Sequence, residues 1–190
     1  MPSLKANFDE LLTRIRHGRD LGSASFEPIY YLIFHPQEIL EVKRNLPAWT
    51  AKLRQEGWDV QIFSIAEAIH DILQQAPLRK IWLTADRKAP VSWEKTNQSL
   101  ANALSKGALQ NRLESVLEEA NSKHNGIVLV TDLEALHPYM RIGAIESQLY
   151  GKFNVPTIFL YPGERTGKTR LKFLGFYPED GNYRSVHVGG

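Results

Sequence analysis

A single α/β domain, with a mostly parallel central sheet flanked by helices and a β-rich C-terminal segment, is what this sequence predicts. Three observations carry that expectation. Apolar runs of strand length, Ile29–Phe34 and Gly126–Thr131 above all, alternate with stretches whose apolar residues recur at helical spacing. Helices between strands act as crossovers, and crossovers join parallel strands. The chain has 190 residues and no Gly/Ser linker, repeat or low-complexity tract, which fits one domain at the usual ~100–200 residues each.

The elements follow in order. Leu4, Phe8, Leu11, Leu12 and Ile15 define an amphipathic helix, with Gly18 and Gly22 after them as stop signals. Ile29–Phe34 lies between Pro28 and Pro36 and is apolar or aromatic throughout, as suits a strand buried on both faces. Ile39, Leu40, Leu46, Trp49 and Leu53 then give a helix ending at Gly57. Pro47 either kinks it or opens a second helix, where a missing N–H costs little. Trp58–Phe63 reads as a strand. Ser64 and Glu67 have capping-box spacing ahead of a helix closed by Pro77. Leu78–Thr84 suits strand and helix equally.

Ser92 to about His124 is helical, divided at Gly107, with Leu109, Leu113, Val116, Leu117 and Ala120 on one stripe of the second half. A strand at Gly126–Thr131, a helix through Ile142, Ile145 and Leu149, and a strand at Val155–Tyr161 come next. The remainder alternates short β-like pieces with turns at Pro162-Gly163, Pro178 and Asp180-Gly181-Asn182.

Composition narrows the chemistry. The absence of cysteine removes disulfides, thiolate metal sites and a cysteine nucleophile together. Net charge is +2 with both signs interspersed, so the whole-chain charge gives no phosphate-binding footprint. No basic-then-apolar leader follows Met1, and no apolar run approaches the ~20 residues that span a bilayer. The expected location is the cytoplasm.

The most tempting motif is Pro162-Gly163-Glu164-Arg165-Thr166-Gly167-Lys168-Thr169, which follows a strand and ends as a phosphate-binding loop does. Three residues separate Gly163 from Gly167 where such a loop has four, and the correct register would begin on Pro162, which has no N–H. Arg170–Phe176 suits a strand better than the helix whose N-terminus should face the phosphates. Nucleotide binding through Lys168 and Thr169, with Asp132 holding magnesium, therefore ranks below an exposed basic turn. Asp132 has a structural role open to it: Thr131 and Glu134 have capping-box spacing, which puts Asp132 in the first turn of a helix.

The six histidines show no metal-ligand spacing, and there is no G-x-S-x-G elbow. No catalytic residue, metal site or cofactor is expected. His35 and His137, each before a proline, fit turn caps. Glu118-Glu119 and Glu179-Asp180 read as solvated surface. Arg141, in Pro138-Tyr139-Met140-Arg141, and Arg184, after Tyr183, stand in aromatic settings where an Arg can stack and still bind a carboxylate. Their competing role is a structural pair to Asp132, Glu134 or Glu164.

Four blocks in the C-terminal third carry a resemblance. They are Val128–Thr131 with His137-Pro138-Tyr139-Met140-Arg141 and the helix to Tyr150; Val155 to Glu164; Leu171–Gly175; and Gly181-Asn182-Tyr183-Arg184. In order and spacing they resemble the BrxB family of BREX bacteriophage-exclusion systems. Phe8-Asp9-Glu10-Leu11-Leu12 and the Tyr31–Phe34 strand are compatible, whereas Leu78 to Asn125 matches only in length and helical character. The resemblance implies a non-catalytic phage-defence component, beside subunits that methylate DNA, hydrolyse ATP and resemble alkaline phosphatase. It implies binding to other BREX proteins, foremost the phosphatase-like PglZ. Tyr139, Arg141, Glu164, Arg165, Tyr183 and Arg184 are the candidate contact residues, because Arg and Tyr favour interface hot spots. A nucleotide hydrolase using Lys168, Thr169 and Asp132 ranks second. A DNA-binding module, motivated by the basic pI and four tryptophans, ranks third.

Overall fold

A computed structural model describes residues 3–20, 27–181 and 185–190. The central sheet has strand order β2-β3-β4-β1-β7. Its members are β1 (Ile29–Phe34), β2 (Asp59–Ser64), β3 (Gly126–Thr131), β4 (Thr157–Thr166) and β7 (Val186–Gly189), and every pairing among them is parallel. β5 (Arg170–Phe173) and β6 (Glu179–Gly181) add antiparallel to the far half of β4. The predicted α/β architecture is what the chain adopts.

Strand alternation sorts the apolar residues into two cores. Ile29, Tyr31, Ile33, Val128, Val130, Phe159 and Tyr161 face one side. Tyr30, Leu32, Phe34, Ile127, Leu129, Ile158 and Leu160 face the other. Both faces need covering, which is why β1 and β3 read as unbroken apolar runs. Helices α1 (Leu4–Asp20) and α2 (Ile39–Gln55) cover the second face, with Phe8 stacked on Trp49 at 4.6 Å between centroids. On the first face lie α3 (Ile65–Gln75), α6 (Ala108–Asn121) and α7 (Ile142–Gln148). α4 (Arg79–Lys88) and α5 (Glu94–Leu104) fall between α3 and α6.

Several expectations need correction. α1 continues through Gly18. That glycine serves close approach, since a side chain on it would strike the Tyr30 hydroxyl; Gly22 lies outside the described residues. Pro47 sits inside one continuous helix, and opens no second one. The Leu78–Thr84 stretch is helical from Arg79 onward, with Trp82 as the buried residue of α4 and its indole donating to Ser99 Oγ at 2.8 Å. Ser64 Oγ accepts from the Glu67 amide as predicted, giving one half of a capping box. The complete box lies at His35, whose Nδ1 accepts from the Gln37 amide while Glu38 accepts from the His35 amide. The strand expected to close at Tyr161 runs on to Thr166, and the one expected over Arg170–Phe176 stops at Phe173.

Candidate functional site

In open α/β sheets, ligands commonly sit at the carboxyl ends of the strands. Here that place is filled by the chain itself. β3 ends at Thr131, and Asp132 follows in a left-handed conformation (φ 58°), which aspartate tolerates better than most residues. Its carboxylate accepts from Ser64 Oγ at 2.7 Å and Thr131 Oγ1 at 2.9 Å, and pairs with Lys43 Nζ of α2 at 2.7 Å. Lys43 also reaches Glu134 at 2.8 Å. Burial alone would raise the Asp132 pKa, but the hydrogen bonds from Lys43, Ser64 and Thr131 outweigh it and hold it below the ordinary carboxylate value. The space left beside Lys43, Thr131 and Asp132 is about 20 Å³, on the order of a single water. The expected Thr131/Glu134 capping box does not form: Thr131 turns to Asp132, and a 3₁₀ turn over Leu133–Leu136 replaces the α-helix.

The phosphate-loop-like segment is equally accounted for. Gly163 pairs with Phe173 of β5, and a Cβ on it would collide with the Lys172 carbonyl and the Tyr161 ring. Gly167, Lys168 and Thr169 form the tip of a β-hairpin closed by the Thr166–Arg170 pair, and Gly167 takes φ 65° there. No helix follows. Among the described residues, no group of three or more His, Asp or Glu side chains is placed to hold a metal ion.

A larger hollow of about 490 Å³ lies over the β1–β4 seam. Its floor is Ile29, Tyr31 and Tyr161, and its walls are α7 on one side and Phe173 and Asp180 of the β5–β6 segment on the other. Burial raises the Tyr161 phenol well above its ordinary value, with Asp180 adding to that and Arg141 opposing it. Arg141 stands at the rim. Its guanidinium pairs with Asp180 at 2.7 Å and lies 4.5 Å from the centroid of the Tyr177 ring. The expected partners Asp132, Glu134 and Glu164 are not the ones used. Glu179 and Asp180, read as solvated, pair with Arg170 and Arg141 respectively.

Beside Arg141 the aromatic side chains form a stack that sequence reasoning missed. Phe176 is 62% exposed and stacks on Tyr177 at 4.7 Å. His137 meets the Phe176 ring edge-on at 5.4 Å and contacts the Tyr177 hydroxyl through Nδ1 at 2.5 Å. The aromatic pair before Pro178, in the turn after β5, was the signal available. Of the candidate contact residues, Tyr139 is half-buried against the core, while Glu164 and Arg165 are exposed on β4. Tyr183 and Arg184 lie outside the described residues.

A sequence model of the family described as BREX protein BrxB matches residues 61–188. The chain belongs to the BrxB family. Membership makes it a component of a BREX phage-defence system. The BrxB match takes in all four C-terminal blocks and also the helical stretch from Leu78 to Asn125, where residue-level likeness was weakest. It leaves out α1, β1 and α2, so Phe8 to Leu12 and the Tyr31–Phe34 strand fall outside it. Neither the curated proteins nor the solved structures give a match. Among the described residues, no helix is long and apolar enough to cross a membrane.

Proposed function

We infer that this BrxB-family chain is a non-catalytic adaptor that docks another BREX subunit, the phosphatase-like PglZ protein, on the surface around Arg141. The observation that carries this reading is the exposed Phe176, held in place by Tyr177 and His137. The stack on Tyr177 and His137 fixes this ring while leaving most of it in water. Pre-stacked, it loses little entropy on being covered, which is how rigid aromatic anchors produce affinity. Arg141 is fixed by Asp180 and Tyr177, so it orients this surface. Glu164, exposed and lying beside Gly175, adds a carboxylate next to this surface, whereas Arg165 turns to the His187 carbonyl. The non-catalytic part of the reading is supported by Asp132, whose carboxylate is already committed to Lys43, Ser64 and Thr131.

Co-expression with the PglZ-type subunit of the same system tests it. The two chains should co-purify. Phe176→Ala should weaken the complex at least tenfold, about 1.4 kcal/mol or more, while loss of the stack on Tyr177 lowers the stability of the free chain by only about 1 kcal/mol. Absence of any complex with the wild-type chain, measured by titration of the purified subunits, refutes the reading.

A further inference from the structure

A second surface, sharing no residue with the first, has a different chemistry. Helix α4 buries only Trp82. Leu78, Ile81 and Ala85 recur at i, i+3 and i+7 along it, a stripe that faces solvent: Leu78 is 44% and Ile81 62% exposed. The turn that leads into α5 adds Val91, 83% exposed, and Trp93, 56% exposed. Isolated helices shorter than ~12–15 residues are marginal in water, and an amphipathic face is normally what stabilises them. α4 has 10 residues and turns its apolar stripe outward.

Charge identifies what would cover it. Between Leu78 and Gly107 stand Arg79, Lys80, Arg87, Lys88, Lys95 and Lys106, against only Asp86 and Glu94. This surplus of four positive charges exceeds the +2 of the whole chain, so the rest of the molecule is net negative. Among the described residues, none of these six cations is in an ion pair. Lys88 continues the stripe, three residues beyond Ala85 and seven beyond Ile81, and Lys106 lines a hollow with Leu78, so an exposed cation stands at each end of it and a partner of the opposite pattern fits.

We propose that the α4–α5 surface binds an acidic amphipathic protein segment, with leucine-like side chains on the Leu78–Ile81–Ala85 stripe and carboxylates against Lys88 and Lys106. The aliphatic content favours protein over nucleic acid, whose bases would call for stacking aromatics in place of Leu78, Ile81 and Val91. The inference does not depend on the docking at Phe176.

The test uses the full chain and a synthetic helical peptide with glutamates on one face and leucines on the other. Trp93 is the reporter, because Trp49, Trp58 and Trp82 are buried. Peptide binding should shift its emission to the blue. Ile81→Ser and the double charge reversal Lys88→Glu with Lys106→Glu should each weaken binding at least tenfold with unaltered melting temperature, and Phe176→Ala should change nothing. Polyglutamate binding as tightly as the peptide would reduce the surface to plain electrostatics and overturn the proposal. So would tighter binding of a short duplex DNA, self-association of the free chain abolished by Ile81→Ser, or an emission unmoved by peptide at millimolar concentration.

Discussion

Two ionisable residues, Asp132 and His187, contribute stability in different pH windows. Asp132 has a folded pKa below its ordinary value, so its contribution is complete above about pH 4 and is lost as pH falls through the folded value. Asp132→Asn keeps a side chain that tolerates the left-handed backbone but removes the charge. It should cost about 1–3 kcal/mol in urea unfolding at neutral pH, with the gap to wild type closing in acid. His187, in β7, is buried against Tyr31, with ring centroids 5.6 Å apart, and touches Ser185 Oγ at 2.9 Å. Burial first, then the nearby Arg165 guanidinium, lower its pKa to about 4, with a backbone hydrogen bond at Lys168 acting in the opposite direction. A depressed folded value means that stability is full above the unfolded pKa, about 6.5, and drains away as pH falls towards 4. The loss is on the order of 3 kcal/mol across that window. In His187→Phe, the melting temperature should fall distinctly less between pH 6.5 and 4 than in the wild type.

At the scale of elements, the β4–β5 hairpin and α2 make opposite predictions. Gly167 occupies a left-handed position with open space around it, so Gly167→Ala meets no clash and only the backbone penalty remains. The expected cost is about 1 kcal/mol by chemical denaturation. Because Lys168 and Thr169 cap a hairpin and open no helix, millimolar ATP with magnesium should leave the melting temperature where it is. A rise of several degrees would revive the nucleotide reading. Pro47 is an exposed interruption in the middle of α2. Pro47→Ala restores a backbone donor and should stabilise the chain by roughly 1–3 kcal/mol, read as a higher urea midpoint.

For the whole molecule, the sheet separates structural demands from the surfaces open to partners. Its inner strands β1 and β3 and the first half of β4 are covered on both faces, and Lys43, Asp132 and Glu134 close the end of β3. Among the apolar surfaces left outward are an aromatic stack after β5 and a basic, aliphatic helical stretch between α3 and α6. If both surfaces bind as proposed, one chain joins two partners, as an adaptor must. The prediction at this scale is separability: Phe176→Ala and Ile81→Ser should each abolish one contact and spare the other, measured by pairwise titration with the two ligands.

The sequence by itself determined the architecture. Apolar runs such as Ile29–Phe34 and Gly126–Thr131 require cover on both faces, and helices between them require parallel pairing. It also showed that the Gly163–Thr169 segment has the wrong spacing and is followed by β-structure, and its C-terminal blocks pointed to the family. Only the tertiary structure decided which charges meet. Arg141 chose Asp180 over Asp132, Glu134 and Glu164, and Lys43 chose Asp132, because ion pairs depend on distances between elements that local spacing does not encode. The same holds for exposure. Leu78, Ile81 and Phe176 are apolar residues like those of the core, and nothing in their order along the chain says which of them the fold leaves facing water.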